Sequence, residues 1–595
     1  MSTVGITQAP PKTSQQAATQ TASPPLNAKP VRLGDALIDA GIITADQLEI
    51  ALKEQKSSSL PLGQIIIKLG LATESIVRDA LSKATGQASV ELDKIIPDDD
   101  VLALVPKDFA RHHRLLPVSI DPVKKELLVA MSDTFNVQAL DRLRIQIKNQ
   151  YKIHPVLASE SEIEEAIDNF YGYSLNADAI VAEIESGNVQ YSADLGTLSE
   201  YSHPLVRLVD AMLAEAVKRG ASDVHFEPEE GFYRVRYRID GVLRQVRALH
   251  TSYCSAITVR LKVLAGMNIA ETRSPQDGRI SLTISGRQID FRVSAQPTVH
   301  GENIVLRILD KKKGIVPLEN LGLAEDTMTE LKIMMSRPEG IILVTGPTGS
   351  GKTTTLYSMI NYMNSVEVNI MTLEDPVEYP MSMIRQSSVN EAAKLDFASG
   401  IRSLMRQDPD VILVGEIRDS ETAEMALRAA MTGHQVYSTL HTNSAVRAIP
   451  RLLDLEIPPA ILSGNIIGII AQRLVRKLCK HCKEAYSPED FERKLLGIKP
   501  GQHIRIFKAK GCKECDHSGY KGRLSLMEVL RIDPDLDELI ARRATNQEIT
   551  NMALEKGFIP IAEDGARRVL DGTTSLEEVS RVIDLTQRMQ EALES

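Results

Sequence analysis

No stretch of the 595 residues stays apolar for long enough to span a bilayer, so membrane contact by this chain is expected to be peripheral. The pattern of a secretory signal, a charged segment followed by an apolar one, is also missing at the start. Residues 1–30 are rich in Gln, Thr, Ser, Ala and Pro and read as a disordered tail. Basic excess is lacking: a net charge of −10 and a pI of about 5.8 argue against a general nucleic-acid-binding surface. Cysteine is scarce. Of the 5 present, four form two close pairs, a pattern that fits metal ligation better than a disulfide framework and points to the cytoplasm.

What is present divides into several domains, since a chain of this length exceeds a single compact core. Val31 to about Gly86 carries apolar residues at helical spacing in two units offset by 29 residues: Leu33-Gly34 with Gly41, then Leu62-Gly63 with Gly70. Residues 87–172 alternate short apolar runs with amphipathic stretches and read as a small α/β domain. Residues 173–202 are polar and weakly patterned, a linker. From 203 to 314 a helix is followed by strands in which apolar residues alternate with arginine, and Lys311-Lys312-Lys313-Gly314 marks a hinge before the last unit, 315–595.

The last unit opens with a β-branched run, Ile341 to Thr345, followed without a gap by Gly346-Pro347-Thr348-Gly349-Ser350-Gly351-Lys352-Thr353 and a helix from Thr354. In a strand, glycine-rich loop and helix arrangement, successive backbone N–H groups converge on phosphate oxygens. Lys352 reaches the β and γ phosphates and Thr353 ligates Mg²⁺, so ATP is the expected ligand. A second buried-strand run, Val411 to Val414, ends in Gly415-Glu416; Gly415 stands where P-loop enzymes place an aspartate, leaving Glu416 to assist the magnesium or its water. Glu374, in Thr372-Leu373-Glu374-Asp375-Pro376-Val377-Glu378, lies at another strand end and is a candidate general base. His434 and His441 bracket a further strand, with His441 placed to meet the γ-phosphate and His434 as readily structural.

Cys479-x-x-Cys482 and Cys512-x-x-Cys515 enclose 29 residues, a spacing suited to tetrahedral Zn²⁺ in a structural role, with His481 and His517 as second choices.

Together these motifs resemble the secretion ATPase superfamily, specifically the assembly ATPases of type II secretion systems and type IV pili. The segments that carry the resemblance are 372–378, Arg-Gln-Asp-Pro-Asp-Val-Ile-Leu-Val-Gly-Glu-Ile-Arg-Asp (406–419) and Ser-Thr-Leu-His-Thr-Asn (438–443). It implies an α/β multidomain protein: a RecA-like P-loop core with a zinc-binding insertion at about 473–525, a PAS-like α/β domain before it, and a helical plus α/β N-terminal region. It also implies a homo-hexameric motor acting on an inner-membrane platform protein, and it matches Arg292 and Arg307 to the family's phosphate-contacting arginines, with Arg234, Arg236 and Arg238 left as solvated strand residues.

Arg32, Leu33, Gly34 and Gln55 resemble the first half of the tandem motif of cyclic di-GMP-binding domains. The second half has Pro61 and Ala84 where the first has Arg32 and Gln55, so a helical docking module is the alternative. Two other functions remain open at this level: a nucleic-acid translocase, supported only by the basic run Arg473, Arg476, Lys477, Lys480 and Lys483, and a nucleotide-sensing scaffold without turnover.

Overall fold

The computed structural model describes residues 33–58, 60–171, 177–185, 204–310, 314–390, 393, 395–499, 501–586 and 588–589. The expected tail, Arg32 and the hinge lysines Lys311 to Lys313 lie outside the described residues. The chain forms two compact units, one made of Met1–Ala211 with Thr283–Gly286 and the other of Met212–Leu282 with Arg287–Ser595.

In the first unit the two motif halves form helices Leu33–Asp39, Ala45–Ser57, Leu62–Lys68 and Glu74–Thr85. The halves interleave: the first helix packs chiefly on the fourth and the second on the third. The glycines of the two Leu-Gly pairs permit a close approach inside each half. A Cβ on Gly34 would lie 2.7 Å from the Leu48 side chain, and one on Gly63 would lie 3.0 Å from Val77, its counterpart in the second half. Leu37, Ile65 and Ile66 are fully buried between the helices. A small sheet follows, in which Leu115–Asp121 pairs antiparallel with Glu126–Met131 and the latter pairs parallel with Lys152–Leu157. Helix Glu160–Phe170 packs on this sheet and begins with a capping box on Ser159. The buried Arg78 guanidinium is matched by Glu162 at 2.9 Å and Asp79 at 3.0 Å, as a charge removed from water requires. The stretch expected to be a linker contains a helix, Ala177–Glu185, whose residues Ala177, Ile180 and Ile184 are buried. An apolar stripe of only three positions was too short to stand out among polar neighbours.

The second unit holds two large sheets and a two-stranded one, Glu484–Tyr486 with Ile506–Lys508. In the first, Gln276–Ile284, Arg287–Thr298, Gly301–Asp310, Ala221–Pro228, Phe232–Ile239 and Val242–His250 are neighbours in that order, each pairing antiparallel where the register is given. Alternation along Phe232–Ile239 buries Tyr233, Val235 and Tyr237 completely and turns Arg234, Arg236 and Arg238 to the other face. These arginines are not simply solvated. Arg234 and Arg236 pair with Glu227, and Arg238 lies 3.3 Å from Asp223, both carboxylates being on the adjacent strand.

The other sheet is ordered Arg385–Ser388, Ile370–Glu374, Val411–Val414, Gln435–Leu440, Gly340–Thr345, Ile466–Leu478, Tyr520–Arg531; all adjacent strands are parallel except the last pair. Every residue of Gly340–Thr345 is buried, as expected of a central parallel strand covered on both faces. Among the described residues, no helix is long and apolar enough to cross a membrane.

Candidate nucleotide site

Parallel strands end together, so the loops after Thr345, Glu374, Val414 and Leu440 gather at one edge of the second sheet. They line a cavity of about 1210 Å³ that includes Pro347 to Thr354, Glu374, Gly415, Glu416 and His441. Arg307 lines it as well, from the first sheet of the same unit.

The glycine loop is shaped by a contact that the sequence did not reveal. Gln472, buried on Ile466–Leu478, donates from Nε2 to the Ser350 carbonyl at 2.7 Å and accepts at Oε1 from the Thr355 hydroxyl at 2.8 Å. A Cβ on Gly346 would lie 2.6 Å from the Gln472 carbonyl oxygen, and one on Gly351 would lie 2.6 Å from its Nε2. Both glycines also have positive φ, 149° and 93°. The loop is therefore held from beneath by one amide, at a distance that only glycine tolerates. Helix Lys352–Met363 starts there and aims its N-terminus into the cavity, an electropositive end suited to phosphate. Lys352 donates to the Gly346 carbonyl at 2.9 Å, and burial holds its ammonium below the ordinary lysine range while Glu416 acts the other way. Thr353 is exposed beside it.

Gly415 has a local reason to replace aspartate. A Cβ there would lie 3.3 Å from the Glu374 Cα and 3.4 Å from the Leu373 carbonyl, so a side chain would press on the strand that carries Glu374. Glu416 pairs with Arg418 and lies 3.4 Å from Nε2 of His441. Thr345, at the end of the P-loop strand, ties down the segment after His441: its hydroxyl accepts the Thr442 N–H at 2.8 Å. His434 is turned elsewhere, its Nδ1 2.9 Å from the Ala429 carbonyl, which favours the structural reading.

Glu374 is buried, with Oε1 accepting from the Thr372 hydroxyl at 2.6 Å and from Gln386 Nε2 at 3.3 Å, and Oε2 accepting from the Tyr357 hydroxyl. Burial raises its carboxyl above the ordinary range, against the pull of these donors. The two candidate arginines separate. They are cross-strand partners, but Arg307 reaches the cavity, 3.5 Å from Asp223, whereas Arg292 is not among its lining residues. Arg292 instead bonds the Val377 carbonyl at 3.1 Å and Glu378 at 2.9 Å. Gln472, Tyr357 and Gln386 are the residues that sequence reading missed here. Each lies outside the motif it supports or carries no ionisable chemistry of its own.

Cys479, Cys482, Cys512 and Cys515 meet at the ends of Ile466–Leu478 and Tyr520–Arg531. All four sulfurs lie within 4.8 Å of one another, with Cys479–Cys512 at 3.9 Å and Cys482–Cys515 and Cys512–Cys515 at 3.7 Å. Thiolates bound about 2.3 Å from a tetrahedral zinc stand about 3.8 Å apart, so the donor set fits this ion. The backbone N–H groups of Cys512 and Gly519, each 3.2 Å from the Cys515 sulfur, support a thiolate. In the first unit Leu33, Gly34 and Gln55 occupy the described helices, with Gly34 buried against Leu48 and Gln55 half-exposed. Arg32 lies outside the described residues, so that candidate set is incomplete here.

A family model for type II/IV secretion system proteins matches residues 199–581, and a model for the MshEN domain matches residues 64–177. The type IV pilus assembly ATPase PilB of Myxococcus xanthus is 40% identical over 563 residues, covering 92% of this chain and 98% of its own. The type II secretion system protein E of Pseudomonas aeruginosa is 48% identical over 379 residues, 64% of this chain and 75% of that one. Among solved structures, the pilus retraction motor PilT with bound ADP is 29% identical, with a TM-score of 0.43 over 63% of this chain and 97% of that one. MshE with cdg is 31% identical, with a TM-score of 0.22 over 24% of this chain and 99% of that one. With a family model matching well over half the chain and a relative similar along nearly its whole length, the protein is an ATPase and belongs to the family of type II/IV secretion system proteins.

Proposed function

We propose that the chain is the cytoplasmic motor that assembles a type IV pilus or a type II secretion pseudopilus, working as a homo-hexamer on an inner-membrane platform protein. One observation carries this reading: Lys352, Glu374, Glu416, His441 and Arg307 converge on a single cavity, although Arg307 comes from a different sheet. The glycine loop and the helix N-terminus bind the β and γ phosphates, with Lys352 turning from the Gly346 carbonyl to meet them. Thr353 and Glu416 are the residues that would hold Mg²⁺, and the ion would supply neutralisation of the phosphate charge. Glu374 orients the attacking water, and His441 and Arg307 face the charge that develops on the γ-phosphoryl group. Motion of the Arg307 sheet toward or away from the phosphates then couples hydrolysis to mechanical work.

Cys479, Cys482, Cys512 and Cys515 hold a structural Zn²⁺, since four protein ligands leave no open position for water. Peripheral association through partner proteins accounts for membrane attachment, and no nucleic acid partner is expected. The test compares wild type with Lys352→Ala, measuring ATP turnover together with particle mass across protein concentration. Turnover that is lost in the variant and rises with hexamer formation supports the motor; near-normal turnover by the variant, or full activity in a monomer, overturns it.

A second reading takes the N-terminal helices, whose two halves pack Gly34 and Gly63 in the same way, as a cyclic di-GMP site; the MshEN match, residues 64–177, covers the second half of this duplicated region and the sheet after it. Calorimetry with the full chain tests this. Absence of binding at high micromolar ligand leaves a docking module.

A further inference from the structure

The surroundings of Glu374 join parts of the site that the motifs treat separately. Tyr357 lies five residues beyond Lys352 on the helix that opens at the glycine loop. Its hydroxyl donates to Glu374 Oε2 and accepts the Glu378 N–H at 3.3 Å. The Glu378 carboxylate in turn pairs with Arg292 at 2.9 Å, on the other sheet of the unit. A continuous polar path therefore runs from the phosphate-binding helix through one hydroxyl to both the candidate base and the arginine that does not line the cavity. Tyr379, next in that loop, stacks edge-on to Tyr357 and covers Gly314, where a Cβ would lie 2.5 Å from its ring. Gly314 is the described end of the expected hinge.

We propose that Tyr357 is a positioning residue that transmits the state of the P-loop helix to Glu374 and, through Glu378, to Arg292. The proposal rests on the reading of Glu374 as the group that orients the attacking water. The tyrosine holds Glu374 in place with one hydrogen bond. A shift of the helix when phosphate fills the loop moves that hydroxyl, and Glu374 and Glu378 move with it. Because its partners lie on a different strand and loop, one displacement reaches the base and the arginine together.

The titratable groups that act on Glu374 are Tyr357 from the P-loop helix, by hydrogen bond, and Glu378 from the loop after its own strand, by charge; one step further out, Arg292 from Arg287–Thr298 pairs with Glu378, and Arg418 beyond Val411–Val414 pairs with Asp375 and Glu416. Glu374 also accepts from the uncharged Gln386 and Thr372. Tyr357 is the one among them that donates directly to the carboxylate from the phosphate-binding helix. Loss of this donor makes the ionised carboxylate less favourable, so the pH below which turnover fails moves upward.

The experiment measures kcat and KM for ATP as a function of pH in Tyr357→Phe, with Glu374→Gln and Tyr437→Phe in parallel. Tyr437 is a second fully buried tyrosine, with its hydroxyl on the Met363 sulfur, and controls for loss of a buried hydroxyl as such. Expected for Tyr357→Phe are an approximately tenfold lower kcat, the size of one charge-assisted hydrogen bond, a KM within about twofold of wild type, and an acid limb displaced to higher pH. Tyr437→Phe leaves the limb in place. If Glu374→Gln abolishes turnover while Tyr357→Phe keeps both kcat and limb, the inference is overturned and the reading of Glu374 survives. If Glu374→Gln turns over normally, that reading itself falls. Should Tyr357→Phe not fold, 3-fluorotyrosine at position 357 keeps the contact with a stronger donor, and the limb must then move to lower pH; an unmoved limb overturns the proposal.

Discussion

Replacing Gln472 by Met tests whether the glycine loop is shaped from beneath. Methionine fills a similar volume but can neither donate to the Ser350 carbonyl nor accept from Thr355, bonds of 2.7 and 2.8 Å in the native protein. Thr355 and Gln472 are both about 1% exposed, so water cannot readily replace what is lost. Each group orphaned in such a place costs about 1–3 kcal/mol, giving roughly 2–4 kcal/mol for the pair after partial relaxation. If this loss falls on the loop, the phosphate-binding conformation becomes a minor state and apparent ATP affinity weakens by roughly 30-fold to 1000-fold. Titration calorimetry with a non-hydrolysable ATP analogue measures it, with circular dichroism establishing that the fold is retained. A double-mutant cycle with Thr355→Val sharpens the test, because once Gln472 is gone the second change costs about 1 kcal/mol less than it does alone. Unchanged affinity in a folded Gln472→Met protein, or strict additivity in the cycle, would refute the argument.

Purified protein should contain close to one zinc per chain by metal analysis, and Cys512→Ser should lose it and melt at lower temperature. Arg307→Ala should lower kcat by roughly a hundredfold or more with little change in melting temperature, since its partner Asp223 is 3.5 Å away; Arg292→Ala should lower both, because it also frees the Glu378 loop. Glu578 is almost fully buried; burial acts to raise its carboxyl, but hydrogen bonds from Arg581 at 2.7 Å and Arg476 at 2.6 Å outweigh this and hold it below the ordinary range. With a depressed folded pKa, its contribution to stability is present above the ordinary carboxylate pKa of about 4.3 and is lost as pH falls through the folded value. Glu578→Gln should therefore cost roughly 3–5 kcal/mol in denaturant melts near neutrality, and the gap to wild type should close in acid.

The glycine loop, the strand-end carboxylates and the cysteine pairs were legible because their chemistry fixes residue types at short spacing. Glycines that meet phosphate, or thiolates that share an ion, leave a local pattern. Gln472 left none: it braces Ser350 and Thr355 from more than a hundred residues away, and a glutamine within an apolar strand has no motif. Tyr357 lies in the helix expected from Thr354 with no motif to mark it, and only the fold brings Glu374 to its hydroxyl. The alternation along Phe232–Ile239 was readable, but the carboxylates that pair with its arginines sit across the sheet on Ala221–Pro228. Arg292 and Arg307 were given one role because the family resemblance matched both to phosphate-contacting positions, and the Val377 carbonyl and Glu378 that engage one of them could not be placed from sequence.

The order of strands around the P-loop has a consequence for synthesis of the chain. Gly340–Thr345, apolar on both faces, pairs with Gln435–Leu440 on one side and with Ile466–Leu478 on the other, both later in sequence. At about 5–20 residues per second, the second edge of this strand waits roughly 7–27 s on the ribosome after Thr345 is made, for the about 130 residues that end at Leu478. During that interval an apolar, fully buried strand is at least half unpaired. The nucleotide site thus cannot close until Ile466–Leu478 has been made, and that strand in turn waits for Tyr520–Arg531 to cover its own outer edge.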